Sequence, residues 1–552
     1  MSDAQGISKT SVRRGLVLGL VISLLALLLA QAVLSMRLKV LTYDENYYLP
    51  AGYSYLTTGD FRMITDHPPL IPLLSGLPLL LLDVNFPADS ELWKNNTDKF
   101  AFGSLLLYGS GNDADAMAFW GRMSMVSLSI LLAVYVFLWA EKLYGTRAGF
   151  LGLFLYVFSP NMLAYSRLVT PDFGVACFMF IACYHLRTCL ENTVVGNLVW
   201  AGVFTGCALA TSYSAFLLFP VFLLMLGYKT AFLKASPQQH PVFPGAARVL
   251  SRTAIVMVVA VAIIFAAHMF REDALQIYVQ CLKTLQVDYW AKDAVGAHFV
   301  NPDYRYYLNG EFSAQPWWYY SLVVFLVKTP ISVLILLVAA VFFLRKNKAD
   351  VYHELWLIVP VFLTLGATFF DVTNLGLRRI LTVYPFLFVF VSKVAAVQGP
   401  AKTWFAKETV RRPLLLILAG WYLAASLTIF PDYLSYFNAA AGGPRKGLAY
   451  LDDSNVDWGQ DLKGLKAYMV KHKIPKIKLL YFGTSDANYY QINWQPILDS
   501  ELYEQPLPGY YAISAHILVR LKLEKLKRGG RDWLEEFTPL DVIGHTIYIY
   551  KF

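Results

Sequence analysis

The sequence predicts a mainly α, polytopic membrane protein with a small α/β domain outside the bilayer. Three observations predict it. Of 552 residues, 57% are hydrophobic and 15% charged, with a mean hydropathy of +0.47, whereas a soluble domain carries roughly 25% charged residues. Apolar runs near the ~20 residues needed to cross a bilayer recur from Gly15 to about residue 430. After residue 430 the pattern changes to short segments of helical and strand period.

Eleven spans are predicted, near 15–36, 117–139, 148–165, 172–190, 197–211, 213–228, 253–270, 317–344, 355–370, 380–397 and 412–430. The first follows Lys9, Arg13 and Arg14. Its apolar core is longer than that of a cleaved signal peptide, so it reads as an uncleaved anchor. The net charge of +9 resides largely in alternate loops: Lys142 and Arg147; Lys229, Lys234, Arg248 and Arg252; Arg345, Lys346 and Lys348; Lys402, Lys407, Arg411 and Arg412. That is a positive-inside pattern, not a nucleic-acid surface. It predicts a multi-pass plasma (inner) membrane protein with a cytoplasmic N-terminus and an outer C-terminal domain. Cys177, Cys183, Cys189 and Cys207 lie in apolar runs and Cys281 in a loop, so no disulfide framework is readable.

Residues 1–430 form the expected membrane module and 431–552 the outer α/β domain. Two outer loops of the module are long. In the first, 37–116, the 13-residue run "LIPLLSGLPLLLL" (70–82) is too short to span and predicts an interfacial or re-entrant helix. The second, 271–316, is rich in Tyr and Trp, as expected of a headgroup-level belt. In the outer domain, "DWGQDLKGLKAYMVKH" spaces Trp458, Leu462, Leu465 and Met469 as an amphipathic helix, while "KIKLLYFG", "GYYAIS" and "HTIYIYKF" read as strands.

The chemistry-bearing candidates gather on the outer face. Asp44 and Glu45 follow the first span among Tyr43, Tyr47 and Tyr48. Carboxylates there mark a helix exit in the plain reading; partly desolvated, they suit a general base. In "TDHPPL", Asp66 or His67 could face the same cavity as Asp44, and His67 with Glu45 could offer metal ligands, although no ligand spacing is diagnostic. In "RLVTPDFG", Thr170 as N-cap, Pro171 at the first helical position and Asp172 in the first turn make a good helix start. Asp172 is also a third outer carboxylate. Arg378, Arg379 and Lys328 break the positive-inside rule and offer charge for a phosphate. In "DDSNVDWGQDLKGL", Asp457 fits a capping turn with Ser454 or an acceptor contact. Asn95-Asn96-Thr97 is a weak glycosylation sequon.

The motifs "DEN" and "HPPL", "TPD", "YLNGEFSAQPWWYYSLVVFLVKTP", "NLGLRRILTVYPFL" and "PDYLSYFNAAAGGPRKGLAYLDDSNVDWGQDLKGL" together resemble a bacterial branch of glycosyltransferase family 39. This is the protein-mannosyltransferase and aminoarabinose-transferase group with the GT-C fold. The resemblance implies a sugar donor on polyprenyl phosphate and transfer with inversion at the outer face. The acceptor would be a lipid, glycan or protein hydroxyl. It maps the base onto Asp44 with Glu45 beside it, a further catalytic acid onto Asp172, and donor-phosphate contacts onto Lys328, Arg378 and Arg379. Tyr43, Tyr47, His67 and Asp457 become substrate contacts. Ser212 stands where the family often has lysine, and Arg379 and Thr382 stand at positions often held by histidine and proline. No nucleotide-binding fingerprint is present. A divalent metal is compatible with the chemistry but not required. The alternatives are a flippase for lipid-linked sugars, or a related transferase moving an oligosaccharide or a phosphorus-containing group.

Overall fold

The computed structural model describes residues 2–95, 98–191, 195–233, 246–274, 276, 278–279, 305–343, 348–370, 373–396 and 407–552. Cys281, Asn96, Thr97, Lys234, Arg345, Lys346, Lys402 and most of the 271–316 loop lie outside the described residues.

All eleven predicted apolar runs are helical, but they are not alike. Among the described residues, seven helices are long and apolar enough to cross a membrane: Arg14–Arg37, Ala114–Tyr144, Pro171–Leu190, Tyr213–Phe232, Leu250–Ala267, Asp350–Thr368 and Glu408–Thr428. An eighth candidate is a pair, Tyr320–Lys328 and Ile331–Phe342, bent by 108°. Three expected spans are shorter helices: Thr146–Val157, Val195–Leu209 and Val383–Ala396. By length, seven or eight of the eleven expected spans could cross alone, and the other three are shorter. The reason is interior burial. Every residue of Val383–Ser392 is buried, and a helix that faces protein need not match the lipid thickness. Pro171–Leu190 is the central helix, with 89% of its apolar window buried against 11% for Arg14–Arg37.

The bend at residue 329 has a local cause. Thr329 precedes Pro330 and is extended, at ψ 130°, as the proline ring demands. The carbonyls freed by the break find partners. Asn161 Nδ2 donates to the Lys328 carbonyl at 2.8 Å. Asn438 Nδ2 donates to those of Leu326 and Thr329 at 2.6 and 2.8 Å. Irregular backbone at membrane depth is tolerated only where it is satisfied in this way.

In the first outer loop, the helix Glu45–Thr58 crosses Leu70–Gly76. Their backbones nearly touch: a Cβ on Gly52 would lie 1.9 Å from the Pro72 carbonyl oxygen. The 70–82 run is this helix followed by a 3₁₀ turn, Leu77–Leu81, too short to span, as predicted.

The strands are β1 Tyr306–Leu308, β2 Glu311–Ser313, β3 Ile477–Leu480, β4 Trp494–Gln495, β5 Tyr510–Ser514, β6 Asp541–Ile543 and β7 Ile547–Lys551. β1 and β2 form a hairpin; the others form one sheet in the order β4-β3-β5-β7-β6. The three strands expected in the outer domain are β3, β5 and β7. The amphipathic helix starts later than predicted, at Leu462, and runs to Lys471. Leu462, Leu465 and Met469 are buried as expected, but Trp458 sits in the turn before it. That turn follows a run of 3₁₀ segments from Tyr433 to Asn455, whose Tyr433, Phe437 and Leu451 join the core of the membrane helices.

Candidate active site

Asp44 and Glu45 diverge by one peptide. Glu45 opens the helix Glu45–Thr58 and turns inward, fully buried. Arg122 from Ala114–Tyr144 grips both its oxygens, Nε to Oε1 at 2.9 Å and Nη2 to Oε2 at 2.6 Å. The Thr42 N–H and hydroxyl donate at 2.9 Å each, and the Val169 N–H at 3.0 Å. Burial raises the Glu45 carboxyl, but Arg122 and the two backbone donors outweigh it and hold its pKa below the usual range. Arg122 also donates to the carbonyls of Met36, Lys39 and Val40. The knot therefore ties the end of the first helix, the acidic turn and the stretch leading to Asp172. Glu45 is committed to this structural role, which corrects the expectation that it assists catalysis or binds metal.

Asp44 stays partly exposed, 17% at its side chain. Its Oδ2 accepts from Arg378 Nη1 at 2.8 Å. Burial raises its pKa, Arg378 lowers it, and Asp172 and Asp453 raise it again; the outcome is above the ordinary value. Arg378, in turn, has Asp44, Asp172 and Asp453 around it. Burial alone would weaken its charge, yet these carboxylates hold its pKa above normal. The structure thus gathers Asp44, Asp172 and Arg378, three of the predicted residues, from the first outer loop, the start of the central helix and the 377–380 turn. The helix Pro171–Glu191 starts where predicted, but the Thr170 hydroxyl is buried without a partner among the described residues.

Around this cluster stands an aromatic wall. Tyr43 stacks on Phe482 of the outer domain at 5.2 Å between centroids and meets the edge of Phe100. Tyr47 packs on Tyr48 and Phe100, and the Lys99 ammonium lies 4.3 Å above the Tyr47 ring. His67 lies beside Tyr48, 6.3 Å between ring centroids. Burial lowers its pKa; Asp66 and Asp172 oppose this, while Arg379 and Lys99 add to it. Arg379 donates to Thr373 Oγ1 at 2.9 Å. Among the described residues, no three His, Cys, Asp or Glu side chains gather to hold a metal ion. Glu45, one of the two possible metal ligands, is engaged by Arg122.

Two further expectations change. Lys328 is 1% exposed; its ammonium donates to the Leu434 carbonyl at 2.8 Å and to that of Asn455. It seals the helix break against the 431–458 segment and is not presented to a phosphate. Asp457 is also 1% exposed. It accepts from the backbone N–H of Gly459 at 3.0 Å and of His516 at 3.3 Å, and burial pushes its pKa up to about 7. It supports a turn rather than facing an acceptor.

What sequence reasoning missed is the work of that turn. Asn455 accepts from Leu377 N at 3.0 Å, and Ser454 donates to Leu375 O at 3.0 Å. A Cβ on Gly376, at φ +88°, would strike the Asn455 side chain. Trp458 places its ring 4.7 Å from the Arg378 guanidinium. The "DDSNVDW" segment is therefore the brace of the arginine turn. The same segment holds the acidic turn: Tyr43 N donates to Trp458 O at 2.9 Å and Val40 N to Gln460 O at 3.0 Å. Thr484 and Ser485 add bonds to the Tyr43 and Leu41 carbonyls, and Lys39 pairs with Asp432 and Asp461.

Comparison with known proteins bears on this arrangement. No protein of curated function matches the chain. Two crystal structures of ArnT from Cupriavidus metallidurans are similar over 96% of this chain and 97% of theirs, at 12% identity. One, bound to undecaprenyl phosphate, has a TM-score of 0.46; the other, in the apo state, 0.48. The apo oligosaccharyltransferase of Archaeoglobus fulgidus is similar over 73% of this chain and 55% of its own, at 13% identity and a TM-score of 0.42. Likenesses this distant leave the argument to the site itself. A family model described as dolichyl-phosphate-mannose-protein mannosyltransferase matches residues 111–266, a stretch that contains Arg122 and Asp172 but neither Asp44 nor Arg378. Of the motifs that carry the resemblance, only "TPD" lies within that stretch.

Proposed function

We propose that the chain is an integral-membrane inverting glycosyltransferase that moves a sugar from a polyprenyl-phosphate donor to an acceptor hydroxyl at the outer face of the plasma (inner) membrane. The N-terminus is cytoplasmic and the sheet domain lies outside. The observation that carries this reading is the partly exposed Asp44–Arg378 pair, with Asp172 acting on the same guanidinium. The mannosyltransferase-family match over 111–266 supports it.

Asp44 is the base. The acceptor oxygen attacks the anomeric carbon from the face opposite the phosphate, and the bond between that carbon and the phosphate oxygen breaks. The acceptor proton goes to Asp44. A positioned carboxylate supplies roughly 10²–10⁴-fold for such a step. Arg378 stabilises the departing phosphate, and Arg379 adds a second cation nearby. At rest, Arg378 and Asp44 satisfy each other. A donor phosphate competes for the guanidinium and releases the carboxylate to act as base, so donor binding and base activation are one event. Tyr43, Tyr47 and His67 wall the acceptor side. The leaving group is already a phosphate, so no metal is assigned.

The test is transfer from a panel of polyprenyl-phosphate sugars by the purified protein, wild type against Asp44→Asn. Transfer from at least one donor, lost in the variant, is expected. No transfer from any donor, with lipid-linked sugar still flipped across proteoliposomes, would replace the transferase with a transporter.

A further inference from the structure

Residues 462–480 hold Lys463, Lys466, Lys471, Lys473, Lys476 and Lys478 and no Asp or Glu. Lys463 pairs with Asp115 at 2.9 Å, and Lys478 with Glu501. Lys466, Lys471, Lys473 and Lys476 form no ion pair among the described residues, which include all of 407–552. Lys471, Lys473 and Lys476 are exposed. Two apolar side chains are exposed with them, Val470 at 66% and Trp494 at 37%.

This row is fixed beside the ends of two membrane helices. The Lys463 ammonium also donates, at 3.3 Å, to the carbonyl of Arg37, the last residue of Arg14–Arg37. Asp115 lies in the first turn of Ala114–Tyr144 and accepts from the Tyr490 hydroxyl at 3.1 Å. From Tyr490 the chain runs back along the lysines. The Gln491 carbonyl accepts from Lys466, Asn493 Nδ2 donates to the Pro475 carbonyl at 2.8 Å, and Trp494 pairs with Ile477 in the sheet. Trp494 follows Tyr490 by four residues, which span at most about 14 Å.

We infer that this row is a docking surface for anionic lipid headgroups of the leaflet in which the first helix ends, and that it seats the outer domain on the membrane. The lysines supply the charge; Trp494 and Val470 supply apolar contact at the headgroup level. Solvation accounts for exposed lysines taken singly. It does not account for four cations without a carboxylate gathered beside two helix ends and an exposed tryptophan. The inference is independent of the transfer chemistry.

The experiment is amine footprinting of the full-length protein in nanodiscs of phosphatidylglycerol or of phosphatidylcholine, with the acetylation rate of each lysine read by mass spectrometry. Lys471, Lys473 and Lys476 of the wild type are expected to react about fivefold more slowly in phosphatidylglycerol, the scale of one lysine at an anionic surface. The difference is expected to vanish at about 1 M salt, where the Debye length is about 3 Å. In the triple variant Lys466→Gln, Lys473→Gln, Lys476→Gln, Lys471 is expected to lose most of its slowing. Equal rates in the two lipids would overturn the proposal, as would a difference undiminished by salt or by the triple substitution. Slowing by soluble polyphosphate in phosphatidylcholine discs, with none in phosphatidylglycerol discs, would replace the membrane with a soluble polyanion.

Discussion

The knot around Glu45 and the ion pair of Asp44 begin one peptide bond apart and end in opposite physical regimes. Glu45 has an arginine on both oxygens and three further donors, and is fully buried. Asp44 has one arginine on one oxygen and two other carboxylates nearby. The first arrangement spends all its hydrogen-bonding capacity on holding the chain. The second leaves capacity for a substrate, and its raised pKa favours accepting a proton. In the function proposed above, adjacent residues of the same chemical type are divided into scaffold and reagent by what other segments bring to them.

That division can be broken by experiment. The largest effect is expected at Asp44: Asp44→Asn should lower transfer by roughly 10²–10⁴-fold, with thermal stability little changed. Glu45→Ala or Arg122→Ala should do the reverse. Each leaves a buried charge unpaired, at a cost of about 3–5 kcal/mol, read as a fall in melting temperature and yield. If Glu45→Ala were stable but inactive, the assignment of scaffold and reagent would have to be exchanged.

The acid limb of the pH–rate profile sharpens the comparison. Asp44 must be ionised to act, and its pKa lies above the ordinary carboxylate value. kcat/KM should therefore fall as pH drops through that raised value. Arg378 lowers the pKa of Asp44, so Arg378→Gln should move the limb to higher pH and raise KM for the donor more than for the acceptor. An unmoved limb would separate the arginine from the base.

Asp457 offers a smaller, purely structural signal. Its folded pKa of about 7 exceeds its unfolded value. The folded state then binds the proton more tightly, so this residue's contribution to stability is fully present at low pH. It is lost as pH rises from near 4 to near 7. Asp457→Asn should flatten that part of the melting-temperature profile. The smallest effect is expected at Trp458, whose ring covers Arg378. Trp458→Leu should weaken donor affinity by a few fold, in keeping with ~0.5–2 kcal/mol for a cation–π contact. An effect on acceptor KM alone would place the tryptophan elsewhere in the mechanism.

By itself the sequence determined the membrane-spanning character, the positions of the apolar helices and three strands of the outer sheet, and it singled out Asp44, Asp172 and Arg378 as candidates. Hydropathy and periodicity are local properties of a chain, and ionisable groups beside apolar runs are conspicuous. Tertiary structure decided the rest. It decided that Lys328 closes a helix break, that three apolar helices are too short to span alone, and that "DDSNVDW" braces an arginine turn. It also decided that Glu45 belongs to Arg122, 77 residues away, while Asp44 belongs to Arg378, 334 residues away. A carboxylate's role depends on which charges and donors desolvate with it, and pairings at such separations leave no periodic trace in the sequence.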